Sequence, residues 1–294
     1  LRAAVAAYDD ALTVRTRAAM PADWAMTLNN KGNTLQTLGE REGGAAGLAN
    51  LRAAVAVYDD ALSVRTRGAM PADWAATLNN KGNALRTLGE REGGAAGLAS
   101  LRAAVAAYDD ALSVYTRDAM PAQWAMTLNN KGAALRTLGE REGGTAGLAS
   151  LRAAVAAYDD ALTVRTRGAM PAQWAMTLNN KGNALSTLGA REGGAAGLAS
   201  LRAAVAAYDD ALTVRTRGAM PAQWAMTNEN VAIAWLAVAG MTAGTEHWTA
   251  LDSALAAVDG ALSVYRTGGM DYALGTAEEL RARILAAMAE APRA

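Results

Sequence analysis

Hydrophobic and polar residues recur along the chain with two periods at once. Within the stretch 101–112, Leu101, Val105, Tyr108 and Leu112 fall 4, 3 and 4 residues apart, the spacing of a single amphipathic helical stripe. Over the whole chain, the phrase LRAAVAAYDDALTVRTR that opens at Leu1 returns at Leu51, Leu101, Leu151 and Leu201, and in eroded form as LDSALAAVDGALSVYRT at Leu251, a period of fifty. A fixed period of that length indicates stacked supersecondary units. Each unit reads as two helices. Pro21, Pro71, Pro121 and Pro171 stand where a first helix starts, a position that tolerates the missing N–H. The residues that follow run for about twenty positions to the next punctuation. The segment EGGAAG then reads as a turn, and it lacks the Lys-Ser/Thr ending of a phosphate loop. Gly68, Gly168 and Gly218 lie near the end of the second helix and suit a left-handed cap, although Ala18 and Asp118 take that place in other copies.

On this reading residues 1–294 form one array. Residues 1–20 are a second helix without its first, 21–70, 71–120, 121–170 and 171–220 are near-identical repeats, and 221–294 hold a diverged C-terminal repeat and a capping helix. The chain starts at Leu1 in mid-pattern, so the expectation is an open face at that end that continues into another domain or docks on another copy. Near-identity of the copies limits inference, because four recently duplicated residues amount to little more than one observation.

The only lysines are Lys31, Lys81, Lys131 and Lys181, one per repeat. At about 100° per residue, Trp24, Leu28, Leu35 and Leu38 cluster on one side of the first helix, and Lys31 falls among them. An unpaired ammonium there is costly, so its stem packs while its head reaches water or a carboxylate. Asp109 and its counterparts Asp9, Asp59, Asp159 and Asp209 are the natural partners. In the last repeat the lysine position is Val231, so an apolar residue is accepted there.

The stretch YDDALSVRTRGAMPADWAATLNNKGNALRTLGE resembles the tetratricopeptide repeat family, and more closely its longer kinesin-light-chain-type variant. Gly82, Gly89, Ala104, Tyr108 and Ala111 fill the places where that family holds its hairpin together. The resemblance spans the chain and implies an all-α, right-handed solenoid of stacked antiparallel hairpins. Two departures stand out. The unit carries roughly ten extra residues around REGGAAGLAN, which should lengthen the second helix or enlarge the turn, and Lys replaces the Leu expected before the glycine.

The copies differ on the first helix at positions 26, 33, 36 and 40, which point away from the Trp-Leu stripe together with the unvarying Asn29. The resemblance implies that this face lines a concave groove for partner segments. Asn29, Asn79, Asn129 and Asn179, with Asn33, Asn83 and Asn183, then form a ladder of amides for an extended backbone. Gln36, Arg86 and Arg136 complete the groove, the arginines favouring an acidic residue. An exposed face that simply drifts is the competing reading.

Composition adds boundaries. Hydrophobic residues make up 52%, enough for a core, and Lys plus Arg balance Asp plus Glu at 28 each. No overall field draws nucleic acid or an anionic membrane. The absence of cysteine removes thiolate chemistry and Cys-based zinc sites and suits a reducing, cytoplasmic compartment. The longest apolar run, VAIAWLAVAGM, is too short to span a membrane. His247, the only histidine, has no metal-ligand spacing around it and reads as a surface residue. Asp9 and Asp10 diverge by about 100° on a helix, so they do not act as a catalytic pair. The Pro-Ala-X-Trp tryptophan reads as a hairpin wedge. No catalytic residue, metal or cofactor is expected.

The functional expectation is a scaffold or sensor that binds a protein or peptide segment, as the C-terminal part of a larger bacterial protein. The Ala, Gly and Arg bias and the lack of Phe point to a GC-rich genome. The alternative is a structural protein whose copies join end to end.

Overall fold

The computed structural model describes residues 1–290, all of whose regular elements are helices. The chain divides into two compact units, Leu1–Gly143 and Gly144–Ala294. Each is a run of antiparallel helical hairpins, the α-solenoid architecture.

The first unit contains α1 (Arg2–Val14), α2 (Pro21–Arg41), α3 (Gly44–Leu62), α4 (Pro71–Arg91), α5 (Gly94–Leu112) and α6 (Pro121–Arg141). Helices α2 and α3 pair as one hairpin and α4 and α5 as the next, with α1 packed on α2 and α6 on α5. The second unit contains α7 (Gly144–Leu162), α8 (Pro171–Glu192), α9 (Gly194–Leu212), α10 (Pro221–Ala239), α11 (Gly244–Gly268) and α12 (Asp271–Glu290). Here α8 pairs with α9 and α10 with α11, while α7 packs on α8 and α12 on α11.

The proline-led starts are as expected, with Pro at the first position of α2, α4, α6, α8 and α10. The glycine-rich segment is not the turn it resembles. Only Glu42 and Gly43 separate α2 from α3, and the rest of GAAG forms the first turn of α3. The extra residues of this repeat therefore lengthen the second helix. Gly44 opens that helix at φ +60°, and Gly94 and Gly244 do the same at +57° and +58°, a conformation that only glycine adopts cheaply. Gly68, Gly168 and Gly218 do not have positive φ. The second helix has already ended at Leu62, Leu162 or Leu212, so the left-handed cap expected there is absent.

Helices pack closely where glycine meets a large side chain. Tyr58, Tyr108 and Tyr208 are buried, and each ring lies against a glycine of the first helix, Gly32, Gly82 and Gly182 respectively. A methyl group added at Gly82 would sit 2.6 Å from the Tyr108 ring. Two turns further on, Gly39 and Gly89 leave room for Leu51 and Leu101. In the diverged hairpin the tyrosine becomes Val258 and the glycine becomes Ala232, both buried in one cluster. A smaller ring position is matched by a larger helix position.

Helix α12 keeps the repeat register. Asp271 stands five periods after Pro21 (271 − 21 = 250), and α12 packs on α11 as a first helix packs on the second helix before it. Its Arg281 Nε donates to Asp259 Oδ1 at 2.6 Å, in the place of the repeat lysine.

Gly82→Ala should cost about 1–3 kcal/mol, the usual range for overpacking. In the double variant Gly82→Ala/Tyr108→Val, the loss should be smaller than the sum of the two single losses, read from denaturant unfolding curves. Strict additivity would show that this contact does not set the hairpin spacing.

Candidate functional site

The polar residues of the first helix divide into two sets that the sequence had placed on one face. Asn29, Asn79, Asn129 and Asn179 are buried. The expectation that they form an exposed ladder is corrected, and the reason is their place in the packing between successive first helices. Asn80 Nδ2 donates to Asn29 Oδ1, and Asn130 Nδ2 to Asn79 Oδ1, both at 3.3 Å. Thr127 Oγ1 donates to the same Asn79 oxygen at 3.3 Å. In the second unit, Asn230 Nδ2 and Thr227 Oγ1 converge on Asn179 Oδ1 at 3.3 and 3.1 Å. A buried amide oxygen needs such partners, so each Asn-Asn pair stitches one repeat to the next. The second asparagine of each pair was missed in the sequence, where only its doubling signalled a role.

Asn33 is exposed and Asn83 and Asn183 are half-buried. Their Oδ1 atoms accept from the buried tyrosines Tyr58, Tyr108 and Tyr208 at 2.7 Å. Burial, then the Glu40 carboxylate, pushes the Tyr58 phenol well above its ordinary value, so it stays a neutral donor. Gln36 Nε2 donates to Glu40 Oε1 at 2.9 Å. Arg86 and Arg136 are half-buried and pair with Glu90 and Glu140 one turn on. Neither arginine is the free anchor that the sequence suggested.

What stays exposed along the body of α2 is Met26, Asn33 and Glu40, seven residues apart, with Asn30 and Thr37 half-buried between them. Met26 and Met126 are 40% and 37% exposed in the first unit, and Met226 and Ile233 are 50% and 45% exposed in the second.

The lysines behave as their position on the helix demands. Lys31, Lys81, Lys131 and Lys181 each meet an aspartate of the preceding second helix, Asp9, Asp59, Asp109 and Asp159, at 2.5 Å. The lysine side chains are mostly covered, while the carboxylates are about half exposed. The adjacent Asp60 and Asp110 point elsewhere and accept through their backbone carbonyls from Ser63 and Ser113. Asp209, opposite Val231, has no such cation. Burial, then the neighbouring Asp210, raises its pKa.

A second set of contacts went unread in the sequence. Arg91 Nη1 and Nη2 donate to the carbonyls of Gly39, Glu40 and Glu42 at the end of α2. Arg141 does the same to Gly89, Glu90 and Glu92. Those carbonyls lack helical partners and carry the negative end of the helix dipole. Glycine at position 47 is required first by the hairpin's own backbone, since a Cβ there would lie 2.1 Å from Glu42 O, and Arg91 Nη1 would then be 2.9 Å away. In the last hairpin that position is His247, which is half-buried and not on the surface as expected. Its Nδ1 donates to Ala239 O at 2.8 Å, the counterpart of Gly39 O, since a carbonyl can only accept.

The tryptophans sit as wedges. Trp24 packs with Ala25, Leu28 and Ala61, and Arg17 lies 5.8 Å over its ring. Among the described residues no group of three or more His, Asp or Glu could hold a metal ion, and no helix is long and apolar enough to cross a membrane. A scan of the sequence against protein-family models finds no match, and a search of curated proteins finds none either.

Lys131→Leu should change stability by less than about 1 kcal/mol, the scale of a partly exposed pair. Asp109→Ala alone should cost more than the double variant Lys131→Leu/Asp109→Ala, because it strands the ammonium. A loss of several kcal/mol for Lys131→Leu in a melting series would contradict this.

Asp209 predicts a pH dependence. Its folded pKa is raised, so its contribution is fully present below the unfolded carboxylate value and is lost as pH rises through the folded one. Asp209→Asn should therefore raise the melting temperature at about pH 7, with the gain vanishing near pH 3. An equal effect at both values would assign the change to packing.

Proposed function

We propose that the chain is a protein-interaction scaffold of the tetratricopeptide type, in a bacterial cytoplasm, that holds an extended partner segment along the outward stripe of its first helices. The observation that carries this reading is the stripe itself. It carries an exposed methionine in three of the copies, Met26, Met126 and Met226, and the asparagines Asn33, Asn83 and Asn183 at the surface beside them. Methionine suits such a surface because its flexible, polarisable thioether adapts to varied side chains. The amides add donors for a peptide backbone, each contributing about 0.5–1.5 kcal/mol net. Several together, with apolar anchors, reach the roughly 8 kcal/mol of a micromolar complex.

The burial of Asn29, Asn79, Asn129 and Asn179 moves the working residues outward, to positions 26 and 33 and their counterparts. It also removes Asn79 and Asn129 as clean probes, since replacing them would loosen the stack. Met26 and Met126 are better targets, being exposed and outside the core clusters.

Selection of a random peptide library on the full chain should enrich peptides of about micromolar affinity. The double variant Met26→Glu/Met126→Glu should weaken them at least about tenfold, with no change in melting temperature. Failure to enrich any peptide, or equal binding by the double variant, would remove this face as the partner site.

A further inference from the structure

The diverged hairpin carries a charge that the other copies do without. Asn79 and Asn179, buried between successive first helices, meet their neighbours with a neutral amide oxygen. The counterpart on α10 is Glu229, which is half-buried. Its Oε2 accepts from the Tyr265 hydroxyl at 2.8 Å and its Oε1 from Thr276 Oγ1 at 3.3 Å. It thus joins α10 to α11 and α12, a task for which an amide oxygen would serve, because both donors are neutral. Burial, then the hydrogen bond to Glu229, holds the Tyr265 phenol well above its ordinary value, so it remains a hydroxyl.

No cation balances this carboxylate. Among the described residues no lysine, arginine or histidine lies within ion-pair distance of Glu229, and the ion pairs of the second unit use Asp159, Glu192, Glu246, Glu278 and Asp259 instead. A carboxylate offers about four acceptor positions, of which two are taken here. Drawing such a group further from water without a partner is costly.

The surroundings of Glu229 are apolar. Met226 stands three residues before it and Ile233 four after, one turn to either side on the same face of the helix. Both are exposed. Ile233 takes the place of Asn33, Asn83 and Asn183, and the half-buried Leu236 that of Gln36, Arg86 and Arg136. The outward face that is polar on the other first helices is therefore an apolar strip beside one uncompensated carboxylate on α10.

We propose, on the reading that partner segments lie along the first helices, that this face of α10 receives a lysine or arginine side chain of the partner, its head on Glu229 and its stem and apolar neighbours on Met226 and Ile233. Charge complementarity selects that occupant. An acidic segment is repelled, and a neutral one covers the carboxylate without replacing the water it loses. A basic side chain meets both demands, since its methylene stem packs on apolar surface while its head pairs.

The test is selection on the full chain from three random peptide libraries whose central residue is fixed as Lys, Gln or Glu. The lysine library should enrich binders. Their affinity, read by fluorescence anisotropy, should fall at least about tenfold in Glu229→Gln, the scale of a lost hydrogen bond to a charged group. That variant keeps an oxygen for Tyr265 and Thr276, so the junction persists, which an unchanged melting temperature checks. Ile233→Asn, which restores the residue of the other copies at an exposed position, should weaken the same peptides. Equal enrichment from the three libraries, or lysine peptides indifferent to either substitution, overturns the proposal. If those peptides are nevertheless lost in Met26→Glu/Met126→Glu, the groove reading stands without it, whereas no enrichment from any library removes both.

Discussion

The spacing between the two helices of a repeat is set at one point, where a glycine of the first helix lies under a tyrosine ring of the second. With no side chain at Gly82, the backbone of α4 approaches Tyr108 closely enough to bury the whole ring. Other contacts presuppose that approach. Tyr108 reaches Asn83 only because the ring crosses over the first helix, and Leu101 reaches the groove at Gly89 only because the helices stay close for two more turns. Much of the hydrophobic content is alanine, which gives little burial per residue. A core built of small residues depends on backbones coming near to one another, and the glycine positions provide that nearness.

Repeat is joined to repeat by polar contacts along the edges of that core. Lysine pairs with the aspartate of the preceding second helix, asparagine bridges to asparagine on adjacent first helices, and arginine closes the open end of the preceding first helix. The three act on different faces. Together they fix the rotation of one hairpin on the next, which apolar packing of alanine alone would leave loosely specified.

Much of this was legible in the sequence. The fifty-residue period, the proline starts and the 4-3-4 stripe gave the helices, and the wheel position of Lys31 gave both its burial and its aspartate. The site was less legible. Asn29 lies four residues after Ala25 and three before Gly32, on a line of small residues that marks close helix contact, yet its polarity suggested an exposed face. Arg91 and Arg141 were unreadable for another reason. Their acceptors are backbone carbonyls of a neighbouring repeat, which leave no trace in residue type. The segment GGAAG misled because glycine signals a turn, whereas here the second of its glycines opens a helix and the third lets that helix pass close to the backbone that precedes it.

The latch has a consequence for how such a gene can change. Arg91 grips carbonyls that lie one repeat upstream, and Arg141 grips the same set one repeat further along. Each contact is addressed by offset and not by a unique partner. Deletion of residues 71–120 would bring Arg141 to Gly39, Glu40 and Glu42, an identical set of acceptors. Loss or gain of a whole fifty-residue copy in the first unit would therefore leave this junction chemically complete, because the acceptors recur with the donors.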